Sequence, residues 1–188
     1  MMKQRRFSIL GVGNILEKDD GIAVYATAYL EQNYTFEPSI EIINGGVEGI
    51  NLLNVFMEYD RILILDAIDI DDEPGSIYHI PSHELTGYGL SSGGAHEIGV
   101  MQCIDMLELI GRSLPDSSVL GIVPKTVDVH IGLTPLLLER FPTYINAIIT
   151  ILENENIVVK KSAKEVTLQT IISRFENPRD DTEVKRAL

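Results

Sequence analysis

The sequence predicts an α/β fold in which a mostly parallel, twisted sheet lies between layers of helices. Short apolar runs alternate with segments of helical periodicity along the chain, which is the pattern of parallel strands joined by crossover helices. The run at 61–65 is almost continuously apolar, as expected for a strand that is covered on both faces. The 188 residues, 45% of them hydrophobic, suffice for a substantial core. We therefore expect one α/β domain over residues 1–160 and a C-terminal extension over residues 161–188.

The predicted elements follow one another in the order that such a fold requires. Strands are expected at 7–12, 40–43, 61–65, 75–80 and 119–123, with a short strand at 157–159. Helices are expected at 22–34, 49–59, 97–110 and 134–153. The last of these helices opens with Thr134-Pro135, a capping residue followed by a proline. The polar, glycine-rich stretch 81–95 is expected to be a loop.

The C-terminal extension differs in character from the rest of the chain. Four apolar residues could form one face of a helix, namely Val166, Ile171, Ile172 and Phe175. Residues 177–188 are dense in charge and contain a proline, so we expect a mobile tail there.

Composition disfavours several classes of protein. A net charge of −13 repels phosphate backbones, so nucleic acid is not an expected partner. No apolar stretch approaches the roughly 20 residues of a membrane span, and the short run after Arg6 ends at glycines, unlike a signal peptide. The single cysteine, Cys103, fits a reducing compartment and lies in an apolar helical pattern, where we expect an inert core thiol. We expect a cytoplasmic protein, and a monomer because one domain of this size needs no partner to bury its core.

Two aspartates are expected at the carboxyl edge of the sheet, where open α/β sheets bind their ligands. Asp66 follows the run at 61–65, and Asp20 follows the glycine turn after the first strand. Each has a simpler interpretation: Asp66 could be a cap or turn residue, and Asp20, with Asp19, could place favourable charge at a helix N-terminus. A pair of acids can also divide these roles, with one capping and one facing the crevice.

His96 is the third candidate. It follows a run of serines, glycines and alanine at 91–95 and directly precedes a predicted helix. Taken alone, a histidine in this position is usually structural or solvent-facing. Together with two carboxylates at one crevice it would form a ligand set suited to nickel, zinc or cadmium, with coordination positions left open.

Other catalytic and binding motifs do not match. The dinucleotide pattern G-x-G-x-x-G needs a glycine at position 16, which is Leu16, and the zincin pattern H-E-x-x-H needs a histidine at position 100, which is Val100. The chain has no G-x-S-x-G nucleophile elbow. His130 is expected to pack the loop that leads into the last helix of the domain.

Five segments, in order, resemble the hydrogenase maturation endopeptidases, which remove the C-terminal extension from the large subunit of nickel–iron hydrogenase. The segments are Gly11-Val12-Gly13-Asn14 with Asp19-Asp20-Gly21, Asn44-Gly45-Gly46, Leu65-Asp66-Ala67, Ala95-His96-Glu97-Ile98-Gly99, and His130-Ile131-Gly132-Leu133-Thr134-Pro135. The resemblance covers roughly residues 6–155. It implies a phosphorylase/hydrolase-like three-layer αβα fold and a peptidase activity.

The resemblance also implies a trio of catalytic and metal-contacting residues, carried over here onto Asp20, Asp66 and His96. Some family members have glutamate at the first position, so the shorter Asp20 changes the ligand geometry there. The resemblance implies that nickel is already seated in the precursor, so the trio would complete the coordination of a substrate-borne metal, and other divalent cations could occupy the site. Whether a carboxylate, a pair of carboxylates sharing one proton or a metal-bound water activates the attacking water is left open. Two other functions remain in view: a related peptidase acting on a different protein, and a non-catalytic nickel-binding escort protein.

Overall fold

The computed structural model describes residues 6–47, 52–87 and 100–177. The strands are β1 (Phe7–Val12), β2 (Tyr34–Glu37), β3 (Glu41–Gly46), β4 (Arg61–Ala67), β5 (Ile77–Pro81), β6 (Asp116–Ile122) and β7 (Val158–Lys161). The helices are α1 (Ile22–Asn33), α2 (Leu52–Glu58), α3 (Val100–Leu109), α4 (Pro135–Asn154) and α5 (Leu168–Glu176). Short 3₁₀ helices cover Lys18–Gly21 and Ser82–Gly87.

The main sheet has the strand order β3-β1-β4-β6-β5. Neighbouring strands from β3 to β6 are parallel, and β5 is antiparallel to β6 at one edge. The chain leaves β1 for β3 on one side and then crosses to β4 on the other side. The strand order therefore reverses between β1 and β4, and the crevice outside the carboxyl ends of these two strands is where an α/β sheet of this kind binds its ligand.

Helices cover both faces of the sheet and create two separate cores. One core joins α1, α4 and α5 to the strand residues Leu63 and Leu65. The other joins α2 and α3 to Ile62 and Ile64. Successive strand residues point to opposite faces, which explains why the run at 61–65 is apolar without alternation. The three-layer αβα architecture expected from the sequence is confirmed.

Several sequence predictions about strands and loops need correction. β5 and β6 are shifted from the predicted 75–80 and 119–123, and a 3₁₀ helix lies within the predicted loop 81–95. β4 was expected to end at Asp66 and continues to Ala67, so Asp66 is its last residue but one, opposite Gly121 of β6. β3 continues through the glycines to Gly46 because its backbone stays paired with β1 up to Val12. The short strand predicted at 157–159 runs from 158 to 161 and lies outside the main sheet.

That outlying strand, β7, pairs antiparallel with β2, a strand that the sequence did not predict. The helical pattern was extended to Tyr34, whereas α1 ends at Asn33 and Tyr34 starts β2. β2 forms only because it pairs with a strand more than 120 positions away, with Tyr34 opposite Lys161. The periodicity of neighbouring residues contains no information about such a distant strand.

The four helices predicted in the domain are present, and each C-terminal end differs by one residue from the prediction. Thr134 caps α4 by accepting a hydrogen bond from the backbone N–H of Leu137, with Pro135 next in the chain. The helices predicted at 49–59 and 97–110 are described from Leu52 and Val100 onward; the preceding residues of both lie outside the described ranges. Cys103 is buried in the α2–α3 core, and burial raises the pKa of its thiol, in agreement with an inert core residue.

The C-terminal extension begins with an ordered helix. α5 is capped by Thr167 and buries Ile171, Ile172 and Phe175 against the α1–α4 layer. Val166 precedes the helix, and its backbone N–H donates to the side chain of Asn33 at the end of α1. The mobile tail predicted at 177–188 falls, from residue 178 onward, outside the described residues. In the part of the chain that is described, no helix is long and apolar enough to cross a membrane.

Candidate active site

The turn after β1 is built on a backbone conformation that requires glycine. Gly13 has a φ of +143°, and a Cβ added there would lie 2.1 Å from the carbonyl oxygen of Asp20. Both the backbone conformation and this contact exclude every residue that has a Cβ, so only glycine fits here. The turn consequently packs directly against the residue that the sequence singled out, and the backbone N–H of Asn14 donates to Oδ2 of Asp20 over 2.6 Å.

The adjacent acids Asp19 and Asp20 have different surroundings. Asp19 is completely buried. It accepts hydrogen bonds from the backbone N–H groups of Lys125, Thr126 and Thr134 and from the hydroxyl of Thr134. These contacts fasten the β1–α1 turn to the segment that leads from β6 to α4, so Asp19 is a structural acid.

Asp20 is half-buried and adjoins the turn that follows β1. The expectation that one of the two acids caps a helix is wrong, and the role of Asp20 in the crevice stays a prediction. Neither the 3₁₀ helix nor α1 has a side-chain hydrogen bond at its N-cap.

Asp66 lies at the carboxyl end of β4, next to β1 in the sheet. It is 8% exposed, and its Oδ1 atom has no hydrogen-bond partner among the described residues. Burial raises the pKa of Asp66 well above its usual value, and the negative charge of Asp20 raises it further, against a smaller opposing effect of the Ala67 N–H. Asp20 follows β1, and Asp66 lies at the carboxyl end of β4, the parallel neighbour of β1. The two carboxylates therefore lie at the same edge of the sheet, in agreement with the effect of Asp20 on this pKa.

Tyr144 of α4 supports the carboxyl end of β4 and was missed by the sequence analysis. It is fully buried, and its hydroxyl donates to the carbonyl oxygen of Leu120 over 2.8 Å. Burial and the Asp66 charge raise the pKa of Tyr144, against a smaller opposing effect of the Asp66 N–H. The available signal was a tyrosine on the apolar face of a predicted helix, but its partner depended on how α4 crosses the sheet.

His96, the third predicted residue, lies outside the described residues. The helix that follows it in the sequence, α3, starts at Val100 and packs on the face of the sheet that carries Ile62 and Ile64. Asp66 belongs to the same alternating set of β4 positions. The structure therefore brings Asp20 and Asp66 together and leaves the contribution of His96 as a prediction. Among the described residues no group of three His, Cys, Asp or Glu side chains could hold a metal ion.

The other histidines have structural or solvent-facing positions. The His130 backbone pairs with the β1–α1 turn: its N–H donates to Leu16 over 2.9 Å, and its carbonyl accepts from Lys18 over 2.7 Å. Its imidazole is exposed, so the expectation that the His130 side chain packs the loop is wrong, and only its backbone holds the loop in place. His79 contacts the hydroxyl of Ser118 on β6, and the exposed His83 lies near Glu84.

Comparison with known proteins identifies the family. Residues 24–151, more than half of the chain, match the family model described as hydrogenase maturation protease. The chain belongs to the hydrogenase maturation protease family. It is therefore a peptidase, and the resemblance found in the sequence is confirmed. The matched range includes Asp66 and His96 but neither Asp20 nor α5.

Individual relatives agree with this assignment in sequence and in structure. The Hydrogenase 2 maturation protease of Escherichia coli K12 is 32% identical over 131 residues, which are 69% of this chain and 80% of the relative. The hydrogenase expression/formation protein HupD of Bradyrhizobium diazoefficiens is 28% identical over 161 residues, which are 85% of this chain and 84% of the relative. The structure of the hydrogenase maturating endopeptidase HybD from E. coli superimposes with a TM-score of 0.76 at 27% identity, over 84% of this chain and 98% of that protein.

Proposed function

We propose that this protein cleaves the C-terminal extension from the large-subunit precursor of a nickel–iron hydrogenase after nickel insertion. The observation that carries the proposal is the carboxylate pair, Asp20 and Asp66, at the point where the strand order reverses in a chain of the hydrogenase maturation protease family. The site that we propose consists of Asp20, Asp66 and His96. We further propose that the protein acts as a cytoplasmic monomer.

The residues present fit a divalent cation carried by the substrate. Asp66 offers a buried oxygen with no partner among the described residues, and Asp20 adds a second carboxylate at the same crevice. Two carboxylates with one imidazole from His96 would be a suitable donor set for nickel, with positions left for ligands from the precursor. The cation would supply positive charge that favours the ionised form of both acids.

The raised pKa of Asp66 suggests how the site would distinguish a nickel-loaded precursor from an empty one. In the free protein, burial and the Asp20 charge favour a protonated Asp66, which is a poor metal ligand. Docking of a nickel-bearing precursor would release this proton and engage both carboxylates. A precursor without nickel would find Asp66 still protonated. It would gain no contact between a metal ion and the two carboxylates.

Peptide-bond cleavage then needs a group that takes a proton from the attacking water. Both carboxylates are candidates, since a pair whose proton affinities differ can supply an acid and a base. Because engagement of nickel leaves both acids ionised, we assign the base to Asp20. Its carboxylate would take a proton from the attacking water and then pass that proton to the leaving amide nitrogen, while Asp66 stays ionised beside the nickel. A mechanism in which both acids remain bound to the metal would instead leave proton transfer to a metal-bound water.

The test is mass spectrometry of a large-subunit precursor, nickel-loaded and nickel-free, incubated with the purified protein. We expect loss of a C-terminal peptide from the loaded form alone. Asp20→Asn, Asp66→Asn and His96→Ala should each abolish this loss while keeping a native melting transition. His130→Ala is the matched control, because this exposed imidazole lies at the same edge of the sheet and its loss should leave processing intact.

The outcomes separate the competing functions. Cleavage of both forms would keep the protease and overturn nickel recognition. Cleavage of neither form, together with tight nickel binding by the isolated protein, would favour the escort function. Full processing by a folded His96→Ala protein would remove His96 from the proposed site.

A further inference from the structure

A cavity of about 160 Å³ lies beside the β1–α1 turn. Its described walls are residues 13–16, Val24, residues 44–47 and Phe175. No charged side chain is among these described lining residues, and most of the side chains are apolar. Leu16 and Val47 are 53% and 51% exposed, so two large aliphatic side chains flank the cavity where it meets solvent.

The cavity shares the β1–α1 turn with the proposed active site. The turn that forms one of its walls also holds Asp20, through the hydrogen bond from Asn14 and the close approach of Gly13. A group seated in the cavity would therefore lie against the same turn that positions Asp20. β3, which forms another wall, is the edge strand of the main sheet.

Phe175 closes the cavity from the C-terminal extension, which lies beyond the family-matched residues 24–151. Its ring meets the ring of Tyr25 edge-on at 5.5 Å, and the side chain is 8% exposed. Asn33 donates to the carbonyl of Val166 and accepts from its N–H, and Arg174 donates to Gln32 over 2.6 Å. These contacts hold α5 on α1, so this wall of the cavity is fixed.

We propose that this cavity binds one apolar side chain of the precursor next to the bond that is cut, and that Phe175 sets the size of the side chain accepted. The inference rests on the proposed function. A dry cavity of roughly 150 Å³ holds a molecule the size of benzene, so a leucine, isoleucine, methionine or phenylalanine side chain matches the volume. An uncharged, mainly apolar lining excludes charged side chains, because their desolvation would go uncompensated.

The first test uses the precursor itself. The mass of the released peptide locates the cleaved bond, and each residue flanking that bond is then replaced by alanine, leucine or phenylalanine. At one position we expect the wild-type protein to prefer leucine over alanine by about 10- to 100-fold in kcat/KM, because hydrophobic pockets discriminate side chains by this order. Phe175→Ala should reduce that preference and improve cleavage with phenylalanine.

Ile171→Ala is the matched control. Ile171 is on the same helix and is 1% exposed, but it does not line the cavity. Its loss removes apolar contacts from the same helix but no side chain from the cavity lining, and the hydrogen bonds that hold α5 on α1 remain, so the preference for leucine should persist. Equal side-chain preferences in the wild-type and Phe175→Ala proteins would overturn the proposal, as would indifference to size at every flanking position.

A binding measurement separates failure of this inference from failure of the proposed function. In a ¹⁵N–¹H NMR titration, N-acetyl-leucine amide should shift the amide signals of Gly13, Leu16 and Val47. N-acetyl-serine amide at equal concentration should not, and Phe175→Ala should weaken the response to the leucine probe. Shifts without any precursor cleavage would retain the cavity as a binding site and refute the protease. Cleavage without shifts would retain the protease and refute the cavity as a subsite.

Discussion

Replacing Asp19 by asparagine should destabilise the fold far more than the same replacement at Asp20. Oδ2 of Asp19 accepts three hydrogen bonds and Oδ1 accepts one, all in a fully buried position. An asparagine oriented to keep the three bonds would set its NH₂ group against the backbone N–H of Thr134. That leaves one buried donor unsatisfied, at about 1–3 kcal/mol, and reduces three charge-assisted bonds to neutral ones, at about 1 kcal/mol each.

Part of that loss is offset, because asparagine removes the free-energy cost of burying a charge. We therefore expect Asp19→Asn to lower the free energy of unfolding by about 3 kcal/mol. For a chain of this size that is a fall in Tm of about 6–12 °C. Asp20→Asn keeps an acceptor for the Asn14 N–H and relieves repulsion with Asp66, so its effect on stability should stay within about 1 kcal/mol.

Urea unfolding and thermal melting measure the stability difference, and precursor processing measures activity on the same samples. Asp20→Asn should be folded and inactive, whereas Asp19→Asn should be destabilised and should lose activity in step with its folded fraction. Equal stability losses in the two variants would refute the division of roles. So would an Asp19→Asn protein that is as stable as the wild type.

Three further predictions address the site. The pKa of Asp66 is higher in the folded state than in the unfolded chain. Its carboxyl therefore contributes stability that is complete below the ordinary pKa of 3.8. This stability is lost as the pH rises through the folded-state pKa. The asparagine of an Asp66→Asn variant does not titrate. The unfolding free energy of this variant, relative to that of the wild type, should therefore increase from pH 4 to pH 8 by about 1.4 kcal/mol per unit of pKa shift. If urea unfolding gives the same difference between the two proteins at both pH values, the prediction is wrong. In a Gly13→Ala variant the new Cβ would need the strained positive φ and would lie 2.1 Å from the carbonyl oxygen of Asp20. The substitution should lower the unfolding free energy by about 2 kcal/mol or more and abolish processing. A variant that melts like the wild type would contradict this prediction. Tyr144→Phe removes the hydroxyl that donates to Leu120 and should lower the unfolding free energy by about 1–2 kcal/mol; a loss within 0.3 kcal/mol, about the error of such measurements, would refute its supporting role.

The residue pattern was sufficient to predict the layered fold and to place the two candidate carboxylates at one edge of the sheet. The apolar run at 61–65 has to be covered on both faces, and the segments around it carry helical periodicity, so a parallel sheet between helices is the remaining arrangement. Once β1 and β4 are parallel neighbours, the residues at their carboxyl ends meet at one edge. Asp20 and Asp66 could therefore be paired before any contact was known. Thr134-Pro135 likewise marked the start of α4, because capping is a local interaction.

The tertiary structure alone decided how each residue at that edge is used. Asp19 and Asp20 are adjacent acids in the sequence. They differ in the fold because Asp19 accepts hydrogen bonds from Lys125, Thr126 and Thr134, which lie 106 to 115 positions away. The raised pKa of Asp66 depends on burial and on a neighbouring charge, which are properties of the packed crevice. Phe175 reaches the cavity because α5 docks on α1 through contacts that span 133 or more positions. Periodicity and capping act within a few residues, whereas burial and long-range hydrogen bonds exist only once the chain has folded.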